Sequence, residues 1–142
     1  MLNTVFEIKT GDWALLKKDA MTIREQVFIQ EQGIPATEEW DDLDAVAEHF
    51  VLYVENQAAA TARLLPNHSI GRVAVLKKYR GQSYGKAIMQ EAIRVAKAQQ
   101  RAFVTLSSQV HAIGFYQALG FAIEGDEYLD CGIPHITMTM QF

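Results

Sequence analysis

The stretch from Ser69 to Lys86 reads Ser-Ile-Gly-Arg-Val-Ala-Val-Leu-Lys-Lys-Tyr-Arg-Gly-Gln-Ser-Tyr-Gly-Lys, and it runs directly into an amphipathic segment ending near Gln100. Ile70, Val73 and Val75 form a short apolar, β-branched run, which reads as a buried strand. Residues 77–86 are basic and contain Gly81 and Gly85. From Tyr84 the period becomes helical. Met89, Ala92, Ile93 and Ala96 share one face; Gln90, Arg94, Lys97 and Arg101 share the other. The order is therefore strand, basic glycine loop, helix start. Free N–H groups and the helix dipole at such a junction favour an anion, most often a phosphate. Gly81 and Gly85 allow close backbone approach, and Arg80 and Lys86 add positive charge.

Two familiar phosphate loops fail against this stretch. In the P-loop pattern G-x-x-x-x-G-K-[ST], Gly81 and Gly85 stand one residue too close, and Ala87 replaces the metal-binding hydroxyl. The dinucleotide fingerprint G-x-G-x-x-G fails as well. An ordinary solvated turn before a surface helix is the plain alternative.

Composition narrows the field. A chain of 142 residues, 49% hydrophobic and 21% charged, is expected to form one domain, 1–142, with a real core. The net charge of −4 argues against nucleic-acid partners. One cysteine, Cys131, excludes an internal disulfide framework and fits a cytoplasmic location. No signal-peptide pattern and no run of ~20 apolar residues is present, so no membrane partner is expected.

Outside the opening stretch, Thr4–Lys9 reads as a first strand, and Asp12 can cap the helix that follows. Trp13, Leu16, Ala20, Ile23 and Val27 recur at helical steps, giving one apolar face to about Phe28. Arg24, Glu31 and Gln32 sit late on that helix or just past it, where a chain often turns into a cleft. Residues 33–47 read as a loop carrying Glu38, Glu39, Asp41, Asp42 and Asp44. It is either a solvated face or a funnel for a cationic amine. Residues 49–55, 57–65 and 69–76 read as three strands of an antiparallel meander. Residues 103–107 read as a fifth strand, reached by a helical crossover and so parallel to the fourth. A short helix over 112–119 and two closing strands, 121–127 and 135–140, follow. The expectation is an α/β fold: a mixed sheet with helices on both faces.

Four motifs carry a resemblance. Arg80, Gly85 and their spacing match R/Q-x-x-G-x-G/A, with Ser83 in place of the middle glycine. Ala112, Phe115, Tyr116, Gly120 and Phe121 match A-x-x-F-Y-x-x-x-G-F position by position. Arg24, Val27, Phe28, Glu31 and Gln32 match R-x-x-V-F-x-x-E-Q, and Asp130, Gly132, Ile133, Pro134 and His135 match D-x-G-I-P-H. Together they resemble the GNAT N-acetyltransferase superfamily, in particular its small ElaA-like branch, over nearly the whole chain.

The resemblance implies a mostly antiparallel central sheet, splayed between strands four and five, with acetyl-CoA as co-substrate. Backbone groups of Val73, Ala74 and Val75 would bond the pantetheine arm. The loop Arg80, Gly81, Gln82, Ser83, Tyr84, Gly85 and Lys86 would hold the pyrophosphate. Ser108, Phe115 and Tyr116 would complete the coenzyme site. Ser83 is expected to cost on the order of 1–2 kcal/mol if the site demands a positive φ. A small-molecule amine would attack the thioester directly. Tyr116 would protonate the departing thiolate, and a strand-four N–H near Val75 would hold the oxyanion.

Glu31, His49 and His135 are candidate bases. Arg24, Gln32, His49, Ser107 and Gln109 are candidate substrate contacts. His68 and His111 read as exposed loop residues. No metal is expected, since no H-x-x-x-H or C-x-x-C spacing occurs. An acyl-homoserine-lactone-synthase-like acyltransferase and a non-catalytic acyl-CoA-binding module are the alternative readings. Edge strands near the C-terminus make a homodimer plausible.

Overall fold

A computed structural model describes residues 5–142; Thr4, placed by the sequence in the first strand, lies outside them. Strand β1 is Phe6–Gly11. Helix α1, Trp13–Arg24, starts where the Asp12 carboxylate accepts the Leu15 N–H at 2.9 Å. It does not continue as an α-helix to Phe28. Residues Glu25–Glu31 widen into a π-helical turn, a deformation that clusters at functional sites. The segment read as a loop contains a four-residue helix α2, Ala36–Glu39, and a 3-10 turn, Asp42–Val46.

Strands β2 (Glu48–Val54), β3 (Gln57–Leu64) and β4 (Ile70–Val75) form the expected meander with β1, in the order β1-β2-β3-β4, all antiparallel. Helix α3, Tyr84–Ala98, crosses to β5, Phe103–Gln109. Ser108 and Gln109 therefore extend the strand two residues past the 103–107 that the sequence predicts. Pairing with β7 carries β5 that far, Ser107 lying opposite Thr137 and Gln109 opposite His135. Helix α4 is Ile113–Leu119, stopped by Gly120 at φ 109. β6 (Ala122–Asp130) and β7 (Ile133–Gln141) close the chain as a hairpin on Cys131 and Gly132, at φ 50 and 75. Two positive φ values match the right-handed twist of the flanking strands.

The second sheet has the order β5-β7-β6. The two sheets touch through one isolated parallel bridge, Ser69 to Thr105, with the Thr105 amide donating to His68 O at 3.0 Å. Beyond that bridge β4 and β5 part, as the splayed sheet requires.

Both faces of the first sheet are covered. Phe50, Leu52 and Val54 of β2 point toward α3, whose Ile88, Met89, Ala92 and Ala96 are buried against them. Val51 points the other way, into a cluster with Leu16, Ala20 and Ile23 of α1. Period-two alternation in β2 thus feeds two helical faces at once. No helix among the described residues is long and apolar enough to cross a membrane.

Candidate active site

The gap between β4 and β5 is where backbone goes unpaired. Leu76 donates to Ala59 in β3 at 2.9 Å. Its neighbour Val75 consequently faces outward by strand alternation. A bulge lies just before it: Thr61 pairs with Ala74 and Arg63 with Gly71, so Ala62 faces both Arg72 and Val73. Arg72 absorbs the extra residue at φ 51. Two cavities open along this edge, of about 390 Å³ and about 980 Å³. Val73, Gln32, Gln109, His111 and Ala112 line both, so the cavities meet at the bulge.

The larger cavity is walled by Val73–Val75 and by the loop into α3. Gly81 has φ 78, and Ser83 stands in the left-handed region at φ 66, ψ 18, as the N-cap of α3. The strained alternative for Ser83 is therefore the real one. The Ser83 side chain makes no capping bond, so it does not compete for the first-turn N–H groups. Gly85 sits under Val75 and Phe115; a Cβ there would lie 3.5 Å from Val75 Cγ2 and 3.6 Å from Phe115 Cζ. Tyr84 is 3% exposed and lines this cavity, and its hydroxyl has no hydrogen-bond partner. Lys86 and Phe115 line it too. Gln82 is exposed and does not line it. Ser108 does not either: it is 1% exposed, and its hydroxyl is turned onto Gln109 O.

Across this cavity, Glu31 grips Arg80. Nη1 and Nη2 donate to the two carboxylate oxygens at 2.6 and 2.7 Å, and Nε donates to Val75 O at 2.9 Å. The Arg80 hydrogen bonds hold the Glu31 carboxyl below its ordinary value. Both carboxylate oxygens are occupied by Arg80, which leaves neither turned toward the smaller cavity's lining.

The smaller cavity holds the remaining chemistry. Tyr116 lines it, packed edge-on between Phe115 and Phe121, and burial pushes its hydroxyl up to about 12. His135 is 9% exposed. Its Nδ1–H donates to Ile133 O at 2.7 Å and its ring stacks on Tyr128. That bond fixes the tautomer and leaves Nε2 with the lone pair. Ser107 shares a hydrogen bond with the Tyr128 hydroxyl. A polar strap crosses between the cavities: His111 Nε2–H donates to Gln109 Oε1 at 2.7 Å, and Gln109 Nε2–H to Gln32 Oε1 at 2.9 Å.

Two candidate substrate contacts are misplaced by the sequence. Arg24 is 1% exposed and lines neither cavity. Its Nε meets Glu39 at 2.8 Å, its Nη1 meets Asp44 at 2.7 Å, and Trp13 and Trp40 flank its guanidinium. His49 is equally buried beneath Trp13, with Nε2 donating to Asp44 O at 2.9 Å. Burial lowers its pKa, and it faces no cavity.

Three of the five acids in the run are spent on arginines and so do not serve as a funnel. Asp41 takes Arg63 at 2.8 and 2.9 Å, Asp44 takes Arg63 at 2.9 Å, and Arg72 lies 3.1 Å from Glu39. Three arginines cancel three acids. The Arg72–Glu39 approach is off the hydrogen-bonding direction, so Arg72 Nε is an ion partner without a hydrogen bond. Burial raises the Glu39 carboxyl and lowers the Arg72 guanidinium, so desolvation outweighs pairing at this corner.

Sequence reasoning missed several lining residues: Glu38, Arg63, Arg72, Asp130 and His111. His111 is exposed as expected, yet it borders both cavities. The adjacent positive φ at Arg72 left no signal in a residue type that rarely adopts it. Among the described residues no group of three or more His, Cys, Asp or Glu is arranged to hold a metal.

Residues 22–142 match the family model described as an acetyltransferase (GNAT) domain. The uncharacterized N-acetyltransferase YjcF of Bacillus subtilis is 35% identical over 125 residues, 85% of this chain and 89% of that protein. Among solved structures, an acyl-CoA N-acyltransferase from Pseudomonas aeruginosa superposes with a TM-score of 0.86 at 30% identity, covering 96% of this chain and 99% of the other. ElaA of Escherichia coli gives a TM-score of 0.87 at 25% identity, covering 96% and 100%. A family model spanning most of the sequence, with a relative of 35% identity over most of both chains, places the chain in the GNAT acetyltransferase family and makes it an acetyltransferase.

Proposed function

We propose that the protein transfers the acetyl group of acetyl-CoA to a primary amine of a small molecule by direct attack. The observation that carries this reading is the parting of β4 from β5 beyond the Ser69–Thr105 bridge, with two cavities that meet at Val73.

The residues of the larger cavity fit the coenzyme. It offers an unpaired strand edge at Val73–Val75, a left-handed loop before a helix start, the cations Arg80 and Lys86, and the orphaned Tyr84 hydroxyl. Strand-edge amides suit the pantetheine arm, and the α3 N-terminus suits the pyrophosphate. When bound, the coenzyme supplies the activated acyl carbon.

The chain's own groups do the rest. His135 Nε2 takes a proton from the attacking amine nitrogen. A backbone N–H at the β4 bulge donates to the acetyl carbonyl oxygen, where the negative charge develops as the amine adds. As the carbon–sulfur bond breaks, Tyr116 gives its proton to the thiolate. A hydroxyl held near 12 stays protonated at neutral pH and is ready to donate. The Gln32–Gln109–His111 strap borders both cavities and orients the two substrates there.

The test is thiol release from acetyl-CoA with a panel of small primary amines. His135→Gln and Tyr116→Phe should each lower kcat by about 10²–10⁴-fold while leaving coenzyme affinity within a few-fold. Amine-dependent thiol release at the parent rate in both variants would remove these two roles. No amine-dependent release from the parent protein would remove the reaction.

A further inference from the structure

We infer that the acceptor is an amino carboxylate, and that Arg72 takes its carboxylate in the smaller cavity. This rests on the acetyl-transfer reading for what binds there. The cations of the two cavities are divided. Arg80 and Lys86 line only the larger, Arg63 and Arg72 only the smaller. Arg63 and Arg72 stand on paired strands, Arg63 opposite Gly71. Their guanidiniums are adjacent, since Nη2 of each donates to Asp41 Oδ2, at 2.9 Å from Arg63 and 3.3 Å from Arg72.

The two are not equally satisfied. Arg63 is 4% exposed and donates at 2.8–2.9 Å to Asp41 and Asp44, with only Nε buried and without a hydrogen bond. Arg72 is held more loosely. Its Nη2 is divided among Glu38 O, Glu39 O and Asp41 Oδ2, at 3.3, 3.0 and 3.3 Å. Its Nε faces Glu39 Oε2 at 3.1 Å off the hydrogen-bonding direction. Its Nη1 donates to nothing among the described residues, and it is not enclosed. A carboxylate is the planar, two-oxygen partner that a free guanidinium edge fits.

The backbone points the same way independently. Arg72 is held at φ 51 by the β4 bulge, in a region that strains a side-chain-bearing residue. Such strain clusters at ligand clamps and active sites. The bulge also sets Arg72 next to Val73, where the two cavities meet, so the guanidinium stands on the acceptor side of the point of transfer. Burial lowers the Arg72 guanidinium in spite of Glu39 and Asp41, so a further anion against it makes up for lost hydration. Glu38 and Asp130 line the same cavity, but both are exposed, where water and salt screen them.

The experiment measures binding by calorimetry in the presence of coenzyme A, then acetyl transfer from acetyl-CoA. The ligands are glycine, β-alanine, 4-aminobutyrate and 6-aminohexanoate, each beside the alkylamine and the amino amide of matching length. At one length or more, the amino carboxylate should bind at least tenfold tighter than both. Arg72→Asn should bring that set to parity, because asparagine tolerates a positive φ but offers no cation. In this variant Glu39 keeps Arg24 at 2.8 Å and Asp41 keeps Arg63 at 2.8 Å, and a cooperative urea transition reports the fold. The absence of a carboxylate preference at every length in the parent overturns the inference without recourse to the variant. An undiminished preference in folded Arg72→Asn overturns it as well. Carboxylate-selective binding without acetyl transfer supports the inference and overturns the reaction.

Discussion

Glu31 and Arg80 are 49 positions apart and meet in a two-point clasp beside Val75. The carboxylate offsets the cation that an incoming pyrophosphate would use. Glu31→Gln should therefore lower KM for acetyl-CoA a few-fold and change kcat less than tenfold, as steady-state kinetics will show. A hundredfold loss of kcat would return Glu31 to the role of base. Ser83 allows a stability measurement at the same loop. Its left-handed backbone costs about 1–2 kcal/mol, and glycine recovers this less its own entropy of about 0.5–1 kcal/mol. Ser83→Gly should raise stability by roughly 0.5–1 kcal/mol in urea titrations, and Ser83→Val should lower it.

The loop ahead of α3 was readable because its chemistry is local: glycine, cation and helix period lie within one short stretch. The motif around Tyr116 was readable for the same reason. The region 33–47 was not, because its meaning lies in partners far along the chain. Nothing near Asp41 or Asp44 announces Arg63, two strands away. A run of acids looks alike whether it faces water or a set of buried guanidiniums. The error at Arg24 has the same origin, since a cation late on a helix reads as a cleft residue until Glu39 and Asp44 fold over it. Its removal has a definite cost. Arg24→Met leaves two buried carboxylates short of a partner and should destabilise the protein by about 3–5 kcal/mol, read as a shifted urea midpoint. The triple variant with Glu39→Gln and Asp44→Asn should recover much of that loss.

Across the molecule, the buried network ties stability to pH. His49 is held below its ordinary 6.5 by burial, so the unfolded chain binds the proton more readily. Its contribution is full above about pH 6.5 and fades as pH falls further. Asp41, held down to about 2 from 3.8 chiefly by its hydrogen bonds to Arg63, adds stability that is lost between about pH 4 and 2, reduced by the solvent that screens this half-open pair. Glu39 works in the opposite sense, since its raised value favours the fold under more acidic conditions. Urea titrations at pH 8, 6, 5 and 3 should show stability falling from below pH 6.5. His49→Gln should flatten the first part of that fall; a parent curve level from pH 8 to 5 would refute the assignment. Coenzyme acts on the same equilibrium. At a hundredfold excess over Kd, acetyl-CoA should add about 2.7 kcal/mol, or about 5–10 °C in Tm.

The Thr105 amide, held by His68 O where the two sheets join, acts as the rivet of a pair of shears. Blades fastened at one end can spread at the other without breaking their own strands. Deuterium uptake at this one position therefore times the parting of the whole assembly, and a ligand clamped between the blades will slow it from a distance.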